Sequence, residues 1–206
     1  MTNSSTNSGS GSTTSMIDAV RRLAFKELLI PEQMHEAAAP PRRGAAPEPR
    51  LDVETLSPGD RDRAFELARR RLAFQVLFEL DLQGITDAEA PQFIADAMDA
   101  IEGLGPMDAA RVGALTLASF SSRAVADAEI AGLAPEWPTH RQPGADRAIL
   151  RLAHQELTRN EPDPRIVINE AVELAKHFST ERSPAFVNAV LDKVLKRLRG
   201  EADAAA

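Results

Sequence analysis

Leu72-Ala73-Phe74-Gln75-Val76-Leu77-Phe78-Glu79-Leu80-Asp81-Leu82 carries eight apolar side chains in eleven residues. No polar stripe survives at helical spacing, so a helix here must be buried by neighbours on nearly every side. Immediately before it stands Arg69-Arg70-Arg71, with Arg61 and Arg63 further upstream. Guanidinium groups are rarely buried unpaired. The stretch therefore reads as one long helix, capped at Ser57 or Asp60 and stopped by Gly84. It starts basic at the surface and runs into a core.

The rest of the chain repeats that grammar. Thr86-x-x-Glu89 has capping-box form and predicts a second helix through Glu102. Gly103-Leu104-Gly105-Pro106 breaks it, and a third helix is expected over 107–131. Residues 132–144, with Gly132, Pro135, Pro138, Pro143 and Gly144, read as a connector with one short turn near Trp137–Arg141. A fourth helix is expected over 145–159. Asp163-Pro164 pairs a cap with proline at the first helical position and opens a fifth to Phe178. Ser183-Pro184 repeats the device and opens the last, to Arg199. Ile166-Val167-Ile168 is β-branched, but the i, i+4 pattern after it favours helix. The predicted class is all-α.

The first sixty residues differ. Met1–Ser15 is almost wholly Ser, Thr, Gly and Asn and is expected to be disordered. A short amphipathic helix is predicted over 16–30, then an Ala/Pro/Arg-rich linker over 37–50. The expected organisation is a flexible extension over 1–58, a helical domain over 59–200 and a flexible tail over 201–206. Arg21-Arg22-Leu23-Ala24-Phe25 recurs as Arg70-Arg71-Leu72-Ala73-Phe74. Coincidence between two amphipathic helices and a functional decoy of the later helix both remain open.

Composition narrows the chemistry. The 206 residues are 43% hydrophobic, enough for a core, and include no cysteine. That excludes a disulfide scaffold, a thiol nucleophile and a thiolate zinc site. His35, His140, His154 and His177 show no metal-ligand spacing. No catalytic residue, metal or cofactor is predicted. Glu170 and Glu173 stand one turn apart, but the sequence fixes no basic or nucleophilic companion for acid–base work. No apolar run approaches the ~20 residues of a membrane span, and the N-terminus lacks signal-peptide form. A soluble cytoplasmic protein is expected.

The net charge of −7 conceals a pattern. Residues 61–78 carry net +3, residues 79–136 net −9, and residues 140–200 net +3. Two basic segments flank an acidic middle, so a local anion site is compatible with the global sign.

Several blocks together resemble the NusB transcription antitermination family. They are Asp146-Arg147-Ala148-Ile149-Leu150-Arg151-Leu152-Ala153, the run from Val167 through Asn169-Glu170 to Lys176, and Phe186-Val187-Asn188-Ala189-Val190-Leu191-Asp192-Lys193. Ala73-Phe74-Gln75-Val76-Leu77-Phe78 is similar to the family's first-helix segment, and Trp137 with Arg141 matches its spacing. The blocks are collinear over roughly 60–200.

The resemblance implies two small helical bundles packed together. It also implies binding of boxA-type single-stranded RNA with a small-subunit ribosomal protein, NusE, within the transcription elongation complex, supporting ribosomal RNA transcription. No enzymatic activity and no cofactor are implied.

Single-stranded RNA takes cations on its phosphates and aromatic faces on its bases. The candidate RNA contacts are Arg63, Arg69, Arg70, Arg71, Gln75, Phe78, Arg182, Phe186 and Asn188. For the arginines the competing reading is a solvated helix end with surface ion pairs. For Phe78 it is core packing, and for Asn188 a tie between helices. Phe186 lies in the first turn of the last helix, where free backbone N–H groups suit a phosphate and Arg182 adds charge.

Asp146, Arg147 and Arg151, with the connector before them, are the candidates for the protein-partner face; for the two arginines, pairing to acids of the middle segment is the competing reading. The acidic middle suits a basic ribosomal protein. The alternatives are a helical adaptor that has lost RNA binding and an RNA methyltransferase. The second lacks the glycine-rich loop and strand-rich half that a methyl donor needs.

Overall fold

The computed structural model describes residues 58–101, 104–160 and 162–200, with side chains from Glu66 onward. The helix expected over 16–30, the linker, the repeat's first copy, the tail and the side chain of Arg63 lie outside the described residues. Seven α-helices and one 3-10 turn are present among them, and no strand: α1 Pro58–Gln83, α2 Ala90–Asp99, α3 Pro106–Ser121, α4 Arg123–Leu133, the turn Thr139–Arg141, α5 Gly144–Arg159, α6 Pro164–Phe178 and α7 Ser183–Leu198. None of these helices is long and apolar enough to cross a membrane.

α1, α2 and α3 form one bundle, and α5, α6 and α7 the other, with α4 against α5 and α7. α5 is the shared element, packing on α1, α3, α4, α6 and α7. Its sequence accounts for that position. Ala145, Ala148, Ile149, Leu150, Leu152, Ala153 and Leu157 are all buried and cover more than half of the helix circumference, with the buried polar Arg151 and His154 on the rest. From α1, Leu72, Ala73, Phe74, Val76, Leu77 and Leu80 join the same core, while Leu82 emerges at the surface.

The helix ends follow local chemistry. Gly84 stops α1 at φ +66° and Asn160 stops α5 at φ +53°, both in the left-handed region. Asp163 caps α6, its Oδ1 accepting from the Arg165 N–H at 2.8 Å. Asp163→Ala is expected to lower stability by about 1 kcal/mol, read as a shifted urea midpoint at unchanged slope. An unmoved midpoint would show the cap to be idle.

The structure departs from expectation in two helices. The single helix expected over 107–131 is broken at Ser122 into α3 and α4. Thr116, Ser119 and Ser122 each place a hydroxyl 2.8–2.9 Å from the carbonyl four residues earlier. Such bonds compete with the helix ladder and bend it. The Ser122 hydroxyl is also held at 2.8 Å by Gln155 of α5, which anchors the corner. The second departure is at Ser183. It lies inside α7, with Arg182 as the flanking residue and no side-chain cap. Its hydroxyl is committed to Asp146 instead.

Candidate nucleic-acid interface

The arginines of α1 do not stand in a row on the surface. Arg70 is only 3% exposed, and its Nε donates to both carboxylate oxygens of Glu156 on α5, at 2.8 and 3.0 Å. Burial pushes the Glu156 carboxyl above its ordinary range despite the adjacent Arg70. The expectation of a surface contact through Arg70 is thus corrected: the register of α1 turns position 70 onto α5, between the buried Ala68 and Leu72.

Arg69 and Arg71 are half-buried on the flanks of that position. Arg69 pairs with Glu66, and Arg71 has no ion pair among the described residues. Burial, then the like charges of Arg111 and Arg70, depress Arg69 below the usual arginine range. Arg111, exposed on α3, thus adds its charge to this corner, against the opposing carboxylates of Glu156 and Asp108. Sequence reading missed it because it falls within the acidic middle, and only the packing of α3 on α1 brings it there.

The remaining candidates gather elsewhere. Phe78 is half-buried, with its ring against the first residue of α5: a Cβ on Gly144 would lie 2.9 Å from Phe78 Cε2. The phenylalanine at 78 and the glycine at 144 are therefore a matched pair. Arg182 is exposed on the turn before α7, Phe186 is half-buried against the core, and Asn188 is exposed. Gln75 is half-buried on α1. Arg70 reaches α5 at Glu156, whereas Ser183 reaches it at Asp146. Those contacts stand about 15 Å apart along α5, from the helical rise. The arginine corner and the amino end of α7 thus lie toward opposite ends of α5, and Phe78, against Gly144, lies toward the second end.

The three partner-face candidates are largely turned inward. Asp146 is 2% exposed and bonds Ser183 at 2.8 Å. Arg151 is buried, donating to Asp81 at 2.8 Å and to both oxygens of Asp127 at 2.8 and 2.7 Å. Arg147 is partly buried and shares Asp81. Burial alone would raise Asp81, but the hydrogen bonds from Arg151 and Arg147 outweigh it and hold the carboxyl below its usual range. These arginines neutralise acids of the middle segment, the competing reading of the sequence. More open at this end of α5 is the connector, where Trp137 is exposed and the Arg141 guanidinium sits 5.5 Å from the indole centroid.

Residues 67–196, from within α1 to within α7, match the NusB family. The chain belongs to the NusB family. The transcription antitermination protein NusB of Roseiflexus sp. (strain RS-1) is 38% identical over 133 residues, covering 63% of this chain and 91% of that protein. Its counterpart in Chloroflexus aggregans is 37% identical over 138 residues, covering 66% and 89%. The solved structure of T. maritima NusB aligns with a TM-score of 0.56 at 26% identity, over 63% of this chain and 89% of that one. The all-α NusB architecture and the antitermination family are thereby shown. The matched span runs from before Arg69 to beyond Asn188.

Proposed function

We propose that this NusB-family chain binds boxA-type single-stranded RNA together with a small-subunit ribosomal protein, NusE. It does so as part of the cytoplasmic transcription elongation complex that makes ribosomal RNA. It acts by binding, without catalysis and without a cofactor. The observation that carries the reading is the amino end of α7: exposed Arg182, half-buried Phe186 and exposed Asn188 follow one another within two turns. They offer a cation for phosphate, a ring for a base and an amide for a base edge, the chemistries that hold a single strand. Arg69, Arg71 and Arg111 would meet the same strand at the far end of α5. Arg63 is proposed with them, and Gln75 between the two ends.

The test is titration of a dye-labelled boxA-like RNA, followed by anisotropy at two salt concentrations, with and without the ribosomal protein. Partner-enhanced, salt-steep binding supports the proposal. Arg182→Glu is expected to weaken binding and to flatten the salt slope by about one. Unchanged binding removes Arg182 from the site.

The adaptor reading keeps one specific support, that Arg70, Arg147 and Arg151 are all engaged with carboxylates. RNA indifference with intact partner binding would favour it.

A further inference from the structure

The α6–α7 turn, Ser179 to Arg182, is where an exposed cation meets an unusually buried polar cluster. Asp146 comes from α5, far away in sequence, and is 2% exposed, as is Ser183. The Ser183 hydroxyl donates to Asp146 Oδ2 at 2.8 Å. With Asp146 ionised, its carboxylate accepts and Ser183 donates. Ser183 Oγ is then left to accept, and the Thr180 hydroxyl lies 2.7 Å from it and the Thr180 N–H 3.2 Å. Ser179 Oγ stands 3.0 Å away on the other side. Backbone bonds complete the clamp: the Ser183 N–H donates to the Thr180 carbonyl at 3.0 Å, and the Phe186 N–H to the Arg182 carbonyl at 3.2 Å.

Helix capping does not account for this arrangement. Ser183 lies within α7 and satisfies no N–H of that helix. Burying a carboxylate is costly, and apolar side chains on α5 and α7 would join those helices without it. What the cluster adds is a directional tie between the rigid central helix and the turn that carries Arg182. The Arg182 side chain has no ion pair of its own among the described residues, so its backbone position depends on its neighbours.

We infer that Asp146 and Ser183 form a latch that positions Arg182 for an RNA phosphate without touching the RNA. The inference rests on the proposal that Arg182 meets RNA. A cation on a preset turn gives up less freedom on binding than one on a loose turn. Asp146, a candidate for the partner face from sequence, thereby becomes a positioning residue.

The experiment is a double-mutant cycle on the full chain, using the labelled boxA-like RNA at two salt concentrations. Ser183→Ala is expected to weaken binding about two- to tenfold, the lower part of the range of couplings between contacting residues. It should also flatten the salt slope as Arg182→Ala does, which general loosening of the fold would not do. Ser183→Thr, which keeps the hydroxyl, is expected to bind like the parent. It also secures the comparison if the alanine variant folds poorly by circular dichroism. Adding Ser183→Ala to Arg182→Ala should cost nothing more. Additive losses, or a Ser183→Ala variant that binds with full affinity and slope, would overturn the latch and leave the RNA proposal standing. An Arg182→Ala variant with parental affinity overturns the latch together with the role of Arg182. A parent chain that fails to bind the RNA overturns the functional proposal as well.

Discussion

Glu156→Ala is expected to destabilise the protein by about 3–5 kcal/mol, the cost of stranding one partner of a buried ion pair. Arg70 is 3% exposed and Glu156 6%, so water cannot replace the lost carboxylate. One Arg70 nitrogen, Nη2, is already buried with no hydrogen-bond partner in the structure, which leaves little margin. The pair also joins the two bundles, since Arg70 belongs to α1 and Glu156 to α5. Chemical denaturation at neutral pH measures the effect, and a loss under about 1 kcal/mol would contradict a truly desolvated pair.

Replacing both partners with apolar residues, Arg70→Met with Glu156→Leu, is expected to recover most of the loss. Isosteric hydrophobic pairs often match a buried salt bridge in stability. The pH dependence has a definite sign. The Glu156 pKa is raised in the folded state, chiefly by burial. The raised pKa therefore adds a proton-linked increment to stability that is full below the unfolded-state pKa and is lost as pH rises through the folded one. Glu156→Ala should lack that component.

Arg151→Met is the second large effect, expected at about 2–3 kcal/mol, below the full cost of a stranded buried charge. Three elements depend on this guanidinium: Asp81 at the end of α1, Asp127 on α4 and α5 itself. The discount reflects its partners. Arg147 stays to neutralise Asp81, and the Asp127 side chain is 27% exposed and can recover some hydration. Arg151 is held above the ordinary arginine range: burial opposes its charge, but Asp127 and Asp81 more than compensate. It carries charge at every accessible pH.

The titrating partner is Asp81, whose folded pKa is depressed. Its stabilisation is present above the unfolded-state value and is lost as pH falls through the folded one. Arg151→Met should therefore shrink the acid-side loss of stability as well as the neutral-pH stability. A variant that loses stability equally at neutral and acid pH would show that Arg151 acts by packing alone.

The two ion pairs mark how far sequence reading of the site could reach. Five arginines at the start of α1 are visible in the sequence, but whether position 70 faces water depends on which side of α1 meets α5. A helix whose neighbouring half is apolar all round gives no phase for that choice. Arg111 was hidden for a related reason, since its local sequence is acidic and its cationic company arrives only through tertiary packing. Phe78 carried two readings, core and contact, and is half-buried.

The helical class, the stops at Gly84 and Asn160 and the cap at Asp163 are set by interactions within a few residues, so local sequence determines them by itself. The same is true of the collinear motifs that signal the NusB family. Tertiary structure completed the break at Ser122, where Gln155 of α5 fastens a helix that local hydroxyl bonds weaken. It alone turned Arg70, Asp146 and Arg151 inward, and it alone set the arginine corner and the start of α7 toward opposite ends of α5. A burial or a charge pair depends on what arrives from dozens of residues away, and helical periodicity carries no record of that partner.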